Sequence, residues 1–551
     1  MVGMRFLLIL LLAGTVGASE TAIYNVTGYT STYTGMREFS VLVVSDGGKV
    51  VATGGQELLG RYPAAKRVDA LGHYMLPGLT DSHAHLYGLG FLAISLNLAG
   101  TPSLDEAVRR IDVYARENPR SGWIQGRGWN QVLWPKKEFP KAADIDAVVS
   151  DRPVWLKRID GHAGWANSTT LEIAGIDNDT PDPIGGKILR DKDGLATGVL
   201  IDKAMSLVVA HIPPPDKDDI RAAYRKAIGT LLPLGMTGVH DVRVSIDEAE
   251  VYMSMADDEE LDMRIYAMLL NAGANLDAMR DPLIGYGNDK LDIRAVKLFI
   301  DGALGSRGAA MLEPYSDDVE NRGLAFMGAE ELSASVSKAN KLGFQVAIHA
   351  IGDQGNRLAL DAFATAQNER PSILRNRVEH AQIIALEDIP RFAELGVIAS
   401  MQPTHATSDM NMAEDRIGPE RIKGGYAWRL LLDSGAIIAS GSDFPVELPN
   451  PFHGLHAAVT RRDRNGLPAG GWYADQALSR EEALRSFTLD AAFAAHQENR
   501  VGSLEPGKWA DFILVDRDYF TIPADEIDDI QVLETWVAGK RVYAVSQGST
   551  Q

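Results

Sequence analysis

The sequence predicts an α/β protein: a TIM-type (β/α)8 barrel with an inserted subdomain and a small β-sandwich built from both termini. Three observations predict it. The middle of the chain repeats short apolar runs that end in polar residues and lead into helical periodicity. Phe344-Gln345-Val346-Ala347-Ile348-His349 and Ala436-Ile437-Ile438-Ala439-Ser440-Gly441-Ser442-Asp443 are examples. Repeated strand–loop–helix units imply a parallel sheet. Several of these strands carry chemically capable residues at their C-terminal ends, where such barrels place function. Both ends of the chain, by contrast, read as short strands and turns.

Taken in order, residues 1–18 read as a secretory signal peptide. Arg5 precedes the apolar run Phe6–Ala13, and the small residues Val16-Gly17-Ala18 offer a cleavage position. The run is shorter than the roughly 18 apolar residues that span a bilayer, and no other stretch is long enough. An exported protein, periplasmic or extracellular, with no membrane anchor after cleavage is expected. Residues 19–75 and 500–551 supply the sandwich. Val41-Leu42-Val43-Val44, the turn Ser45-Asp46-Gly47-Gly48 and Lys49-Val50-Val51-Ala52 read as a hairpin, mirrored by Phe512–Asp516 and Val532–Val537 near the other end. Residues 76–499 supply the barrel. The span from His83 to Asp443 exceeds the roughly 250 residues of a typical barrel. The excess is assigned to an insertion at about 120–205, rich in Trp, Gly, Pro and Asp and poor in strand–helix alternation.

Composition narrows the chemistry. Across 551 residues there is no cysteine, which excludes disulfides, thiolate metal sites, iron–sulfur clusters and cysteine nucleophiles. Any metal must be held by His, Asp, Glu or a modified Lys. The 54 basic and 74 acidic residues give a formal charge of −20, which disfavours nucleic acid or an anionic membrane as main partner. A small-molecule substrate is the partner expected, with a homo-oligomer left open.

The strongest local signal is Leu76-Pro77-Gly78-Leu79-Thr80-Asp81-Ser82-His83-Ala84-His85. In an extended chain i and i+2 share a face, so His83 and His85 can turn both imidazoles to one ion. Two further histidines stand at strand ends: His349 before Ala350-Ile351-Gly352-Asp353, and His380 before Ala381-Gln382. Asp443 closes an apolar strand at Gly441-Ser442-Asp443-Phe444-Pro445. Each residue alone also fits a structural role, as a core histidine or a helix-capping aspartate. Together, four His and one Asp make a nitrogen–oxygen set of the kind Zn²⁺ accepts. Lys297 lies inside the strand-like run Ile293–Gly302, where an isolated charge is costly. Burial would move its amine toward neutrality and reactivity with CO₂, giving a carbamate that can bridge two metals. An ion-paired or snorkelling lysine fits the same position.

In this order the residues resemble the amidohydrolase superfamily, whose pattern is His-x-His on strand 1, Lys on strand 4, His on strands 5 and 6, and Asp on strand 8. The segments Gly126-Arg127-Gly128-Trp129, Asp160-Gly161-His162-Ala163, Val296-Lys297 with Asp301-Gly302-Ala303, His349–Asp353 and Gly441–Pro445 resemble its amidohydrolase 3 branch, which includes N-substituted formamide deformylase-like enzymes. Gly502–Asp511 resembles the return into the terminal β-sandwich. Asn130 departs from the pattern, which has an acidic residue after the tryptophan.

The resemblance implies one or two divalent ions, most simply Zn²⁺, on His83, His85, Lys297, His349, His380 and Asp443. It also implies N6-carboxylysine at Lys297 if two ions bind. Asp443 would be the catalytic base, accepting a proton from attacking water and passing it to the leaving group. Cleavage of a C–N, amide-like bond is the expected reaction. A lactonase, esterase or phosphotriesterase could use the same site, and a non-catalytic secreted binding protein is a third reading. Substrate-side candidates are His162, Arg307 as a carboxylate clamp, His405, and Trp129 against an apolar group.

Overall fold

The computed structural model describes residues 20–119, 122–270, 273–369 and 373–546; the signal-peptide reading of residues 1–18 lies outside the described residues. Among the described residues no helix is long and apolar enough to cross a membrane. The chain divides into two compact units: Leu86–Ala227, and the remainder.

The larger unit holds a nearly closed barrel of eight parallel strands. These are β1 (Leu79–Ala84), β2 (Met236–Val244), β3 (Arg264–Leu270), β4 (Leu291–Phe299), β5 (Gln345–Ala350), β6 (Arg377–His380), β7 (Ile398–Met401) and β8 (Ile437–Ser440). Each pairs in parallel with the next. The ring closes just past β8 and β1, where the Asp443 N–H donates to the His83 carbonyl at 2.7 Å and the His85 N–H to the Phe444 carbonyl at 2.9 Å. Every residue of β6 and β7 is buried. Strand β7, Ile398-Ala399-Ser400-Met401, reads as the near-continuous apolar run of a strand covered on both faces, whereas β6, Arg377-Val378-Glu379-His380, buries charged side chains.

Helices between the strands start where the sequence caps them. The Ser245 hydroxyl accepts from the Glu248 N–H, and the Glu248 carboxylate accepts from the Ser245 N–H, opening helix Ile246–Asp257 after β2. This reciprocal cap satisfies two of the donors that a helix start leaves free. Helix Asp353–Glu369, after β5, buries Ala359, Leu360, Phe363 and Ala366 as one helical stripe.

The same unit contains an eight-stranded sheet drawn from both termini. Its order is Lys540–Ala544, Val532–Val537, Phe512–Val515, Tyr74–Pro77, Thr21–Thr32, Gly35–Val44 and Val50–Gly54, with Lys66–Asp69 also pairing with Thr21–Thr32. The expected sandwich is thus one continuous hydrogen-bonded sheet. A bulge between Tyr24 and Gly28 lets Thr21–Thr32 pair with Lys66–Asp69 through its first half and Tyr74–Pro77 through its second. Leu42 and Val44 pack with Phe512 and Leu514 in one core, and Val41 and Val43 with Leu58 in another, so alternation along one strand feeds both faces.

The unit Leu86–Ala227 is wider than the expected insertion of 120–205. Strand Leu96–Asn97 and helix Leu104–Glu117 belong to it, because Leu96, Ala107 and Ile111 pack into its core. That helix has the periodicity of any barrel helix, so its sequence gives no boundary signal. A six-stranded sheet organises the unit. Trp129, Trp134 and Trp165 fill its core, and their indole N–H groups donate to the carbonyls of Leu156, Thr101 and Lys141.

Candidate metal centre

The C-terminal ends of five barrel strands carry the predicted ligands. His83 is next to last in β1, Lys297 third from the end of β4, His349 next to last in β5 and His380 last in β6. His85 follows β1 and Asp443 follows β8. The ring centroids of His83 and His380 lie 4.7 Å apart, those of His349 and His380 4.5 Å, and those of His83 and His85 5.9 Å. Asp443 Oδ1 stands 3.1 Å from His85 Nε2 and 3.6 Å from His83 Nε2. One donor atom each from His83, His380 and Asp443 lies within 4.8 Å of the others, a group that can hold a metal ion.

Backbone geometry makes this convergence possible. Successive residues of a strand face opposite ways, yet Glu379 and His380 both reach His83. His380 has φ +74° and Asp443 has φ +60°. Left-handed backbone is uncommon outside glycine and costs on the order of 1–3 kcal/mol where the surroundings impose it, least for Asn, Asp and His. Here it turns two side chains into the barrel mouth.

Asp81 secures the seam. Its carboxylate accepts from the Ser442 hydroxyl at 2.6 Å, the Ser442 N–H at 3.1 Å and the His83 N–H at 3.0 Å. Gly441 passes so close that an added Cβ would sit 2.5 Å from both Asp81 Oδ1 and His83 N. Gly441→Ala is therefore expected to cost about 1–3 kcal/mol by overpacking and to push His83 out of line. Calorimetry should show a lower thermal midpoint, and metal analysis a sub-stoichiometric content.

Electrostatics favour ligand-ready side chains. Burial, then the Lys297 charge, pushes the His349 imidazole down to about 3 and His83 well below its ordinary value. Burial and the neighbouring His349 and His83 do the same to His380. All three are neutral imidazoles at pH 7. Burial also pushes the Lys297 amine down to about 8, against the pull of Glu379 and Asp443. Burial opposes ionisation of Asp443, but the His85 hydrogen bond foremost offsets it, and the carboxyl lies below its usual range.

The donor set fits a divalent cation. His83 Nδ1 is taken by Glu379 at 2.5 Å and His380 Nδ1 by the Gln402 amide oxygen at 2.8 Å, which leaves Nε2 of each for an ion. Among the described residues Lys297 Nζ, His349 Nε2 and His405 Nε2 are buried without a hydrogen-bond partner. An unsatisfied buried polar group costs about 1–3 kcal/mol; a cation would satisfy the two imidazole nitrogens, and Lys297 only as its neutral amine or carbamate.

The other candidates separate. His405 belongs to the centre: its Nε2 is 3.8 Å from Asp443 Oδ2, and its ring stacks on His380 at 5.8 Å. Arg307 is already engaged, since its Nε and a terminal nitrogen donate to the two carboxylate oxygens of Asp317 at 3.0 and 2.9 Å. The bidentate geometry expected for a substrate carboxylate is spent on Asp317. Trp129 is fully buried in the core of its own unit, with Trp134, Phe139 and Trp165 around it, so it presents no open face. His162, in the same unit, is exposed and donates from Nδ1 to the Asp202 carboxylate at 2.8 Å. Asn130, the residue that departs from the family pattern, caps the turn after Trp129 and accepts from Arg158 at 3.1 Å.

The profile of the Amidohydrolase family matches residues 66–543. The chain belongs to the amidohydrolase family. Relatives include Protein LONG AFTER FAR-RED 3 of Arabidopsis thaliana, 36% identical over 86% of this chain and 83% of that protein. Putative amidohydrolase YtcJ of Bacillus subtilis is 32% identical over 94% and 98%. N-substituted formamide deformylase of Arthrobacter pascens is 29% identical over 91% and 94%. Among solved structures, an uncharacterized metal-dependent hydrolase from Pyrococcus furiosus matches with a TM-score of 0.77 at 29% identity, covering 91% of this chain and all of that one. With these relatives and this site, this amidohydrolase is a metal-dependent hydrolase.

Sequence reasoning missed the residues beneath the ligands: Asp81, His240, Arg377, Glu379 and Gln402. Arg377-Val378-Glu379-His380 carried a readable signal, because two opposite charges at i and i+2 share one face of a buried strand.

Proposed function

We propose that this amidohydrolase cleaves a C–N bond in an amide-like substrate, using zinc or a similar divalent ion held by His83, His85, His349, His380 and Asp443. If two ions bind, Lys297, once carboxylated, would supply an anionic oxygen ligand to the centre. The observation that carries this reading is the convergence of these side chains at one barrel mouth with Lys297 Nζ buried and unpartnered. The likeness to N-substituted formamide deformylase supports the amide-like substrate.

A bound divalent ion supplies Lewis acidity, lowering the pKa of water toward neutrality and polarising a carbonyl oxygen. The chain supplies the rest. Asp443, ionised and beside His85, accepts the proton of the attacking water at its carboxylate. It then returns that proton to the leaving nitrogen, so the products are a carboxylic acid and an amine. His405, with an unpartnered Nε2 near Asp443, is placed to hydrogen-bond the substrate as it arrives.

Exhaustive chelation is expected to abolish hydrolysis, and stoichiometric Zn²⁺ to restore it. A panel of amides, lactones and phosphotriesters should show turnover concentrated on the amides. Full activity after chelation would end the metal reading. Turnover confined to lactones or phosphotriesters would keep the centre but replace the substrate class.

A further inference from the structure

Under the metal centre, the barrel interior is charged. The inside of such a barrel is ordinarily filled by branched apolar side chains, and an unpaired buried charge is costly. Here Arg377 and Glu379 are fully buried and His240 nearly so.

Their hydrogen bonds are directional. Arg377 Nε donates to Glu379 Oε1 at 2.6 Å, and one terminal nitrogen to Glu379 Oε2 at 3.1 Å, to the Ser82 carbonyl at 2.7 Å and to the Ser400 hydroxyl at 2.7 Å. The other terminal nitrogen stands 2.9 Å from His240 Nδ1. A guanidinium can only donate, so His240 Nδ1 accepts and that ring is neutral. Both Glu379 oxygens accept from Arg377, the fork-to-fork pairing of a guanidinium with a carboxylate, and Glu379 Oε2 faces His83 Nδ1 at 2.5 Å. A carboxylate there requires a proton on Nδ1, which leaves Nε2 bare on the Asp443 side.

The three deep imidazoles are not equivalent. His380 is backed by the neutral amide of Gln402, and His349 by the backbone of Gly302. Among these three only His83 has a carboxylate at hydrogen-bond distance; His349 Nε2 stands 3.6 Å from Asp301 Oδ1, outside it. An anionic partner fixes the tautomer and ring orientation and raises the basicity of the ligating nitrogen.

We propose that Glu379 is a positioning residue, held in place by Arg377, that presents His83 Nε2 as the strongest imidazole donor of the metal centre. The inference rests on the metal-dependent reading above and deepens it. Glu379 does not touch substrate; it acts through His83.

Two measurements test it. Metal-free wild type and Glu379→Gln and Glu379→Ala proteins would be titrated with Zn²⁺ against a chromophoric chelator, with Co²⁺ spectra recorded alongside. Affinity is expected to fall about 10–100-fold, the range for residues that orient a metal ligand, more for Ala than for Gln, with altered Co²⁺ bands. A purely structural role would lower thermal stability and leave both readouts unchanged; wild-type affinity and spectrum in folded variants would overturn the proposal. Should the variants not fold, histidine ¹⁵N shifts of the metal-free wild type decide. The His83 signals must report protonated Nδ1 and bare Nε2, and the opposite tautomer refutes the inference. Failure of the wild type to bind Zn²⁺ or Co²⁺ would instead count against the metal reading, with the tautomer still judging Glu379.

Discussion

Replacing Asp443 with asparagine is expected to lower turnover by about 10²–10⁴-fold, the contribution of a positioned general base, while the barrel stays folded. Asparagine has the same shape and is among the residues that tolerate the φ of +60° found here. The Asp443 N–H to His83 carbonyl bond that helps close the barrel belongs to the backbone and survives the change. What is lost is the anion. A carboxamide cannot accept the proton of the attacking water, and it is a weaker partner for a cation than a carboxylate. The measurement is turnover on whichever amide the wild type hydrolyses, at metal contents matched by elemental analysis, with circular dichroism as the control for folding. Turnover close to wild type at equal metal content would remove Asp443 from the proton path.

The second large effect is expected far from the chemistry. Arg264, the first residue of β3, donates from Nε to Asp511 Oδ2 at 2.5 Å and from a terminal nitrogen to Oδ1 at 2.9 Å, and both side chains are buried. Asp511 immediately precedes a strand of the terminal sheet, so this pair ties that sheet to the barrel. Arg264→Ala leaves the Asp511 charge buried and unpaired, which costs about 3–5 kcal/mol. The thermal midpoint measured by calorimetry should fall sharply. The double change Arg264→Met with Asp511→Leu should recover much of the loss, because apolar replacement of both partners is often neutral or stabilising.

The pH dependence has a definite sign. Burial raises the Asp511 carboxyl, but Arg264 and the hydrogen bonds around it hold it below its ordinary value. Stability from a depressed carboxyl is present above the unfolded value of about 3.9 and is lost as pH falls through the folded value. Without Arg264, only the Ala538 N–H and Lys290 oppose burial, so the Asp511 carboxyl rises and the variant gains from protonation. The gap between wild type and Arg264→Ala should narrow from pH 7 toward pH 4. A constant gap would mean that the pair contributes packing and not charge.

Much of the barrel was legible because its strands are buried on both faces and therefore read as apolar runs. The candidate ligands were legible for the opposite reason: His349 and Asp443 interrupt such runs at their ends, Lys297 interrupts one from within, and His380 ends the short charged strand Arg377–His380. Trp129 and Arg307 show where residue type misleads. An aromatic or a guanidinium suits a substrate pocket, but whether it is free depends on neighbours distant in sequence. Trp129 meets Trp165 across its own core, and Arg307 meets Asp317. The start of the compact unit at Leu86 was hidden because an amphipathic helix looks alike whichever core it packs against.

By itself, the sequence determined the order of strands and helices, the absence of thiol chemistry and the identity of the residues able to bind a cation. Those follow from periodicity and from side-chain chemistry, which are local. Tertiary structure decided which nitrogen of each imidazole is free, which charges neutralise one another beneath the ligands and which candidates are already engaged. Those depend on distances of a few ångströms between residues such as His83 and Glu379, nearly three hundred positions apart. Proximity of that kind is created by folding.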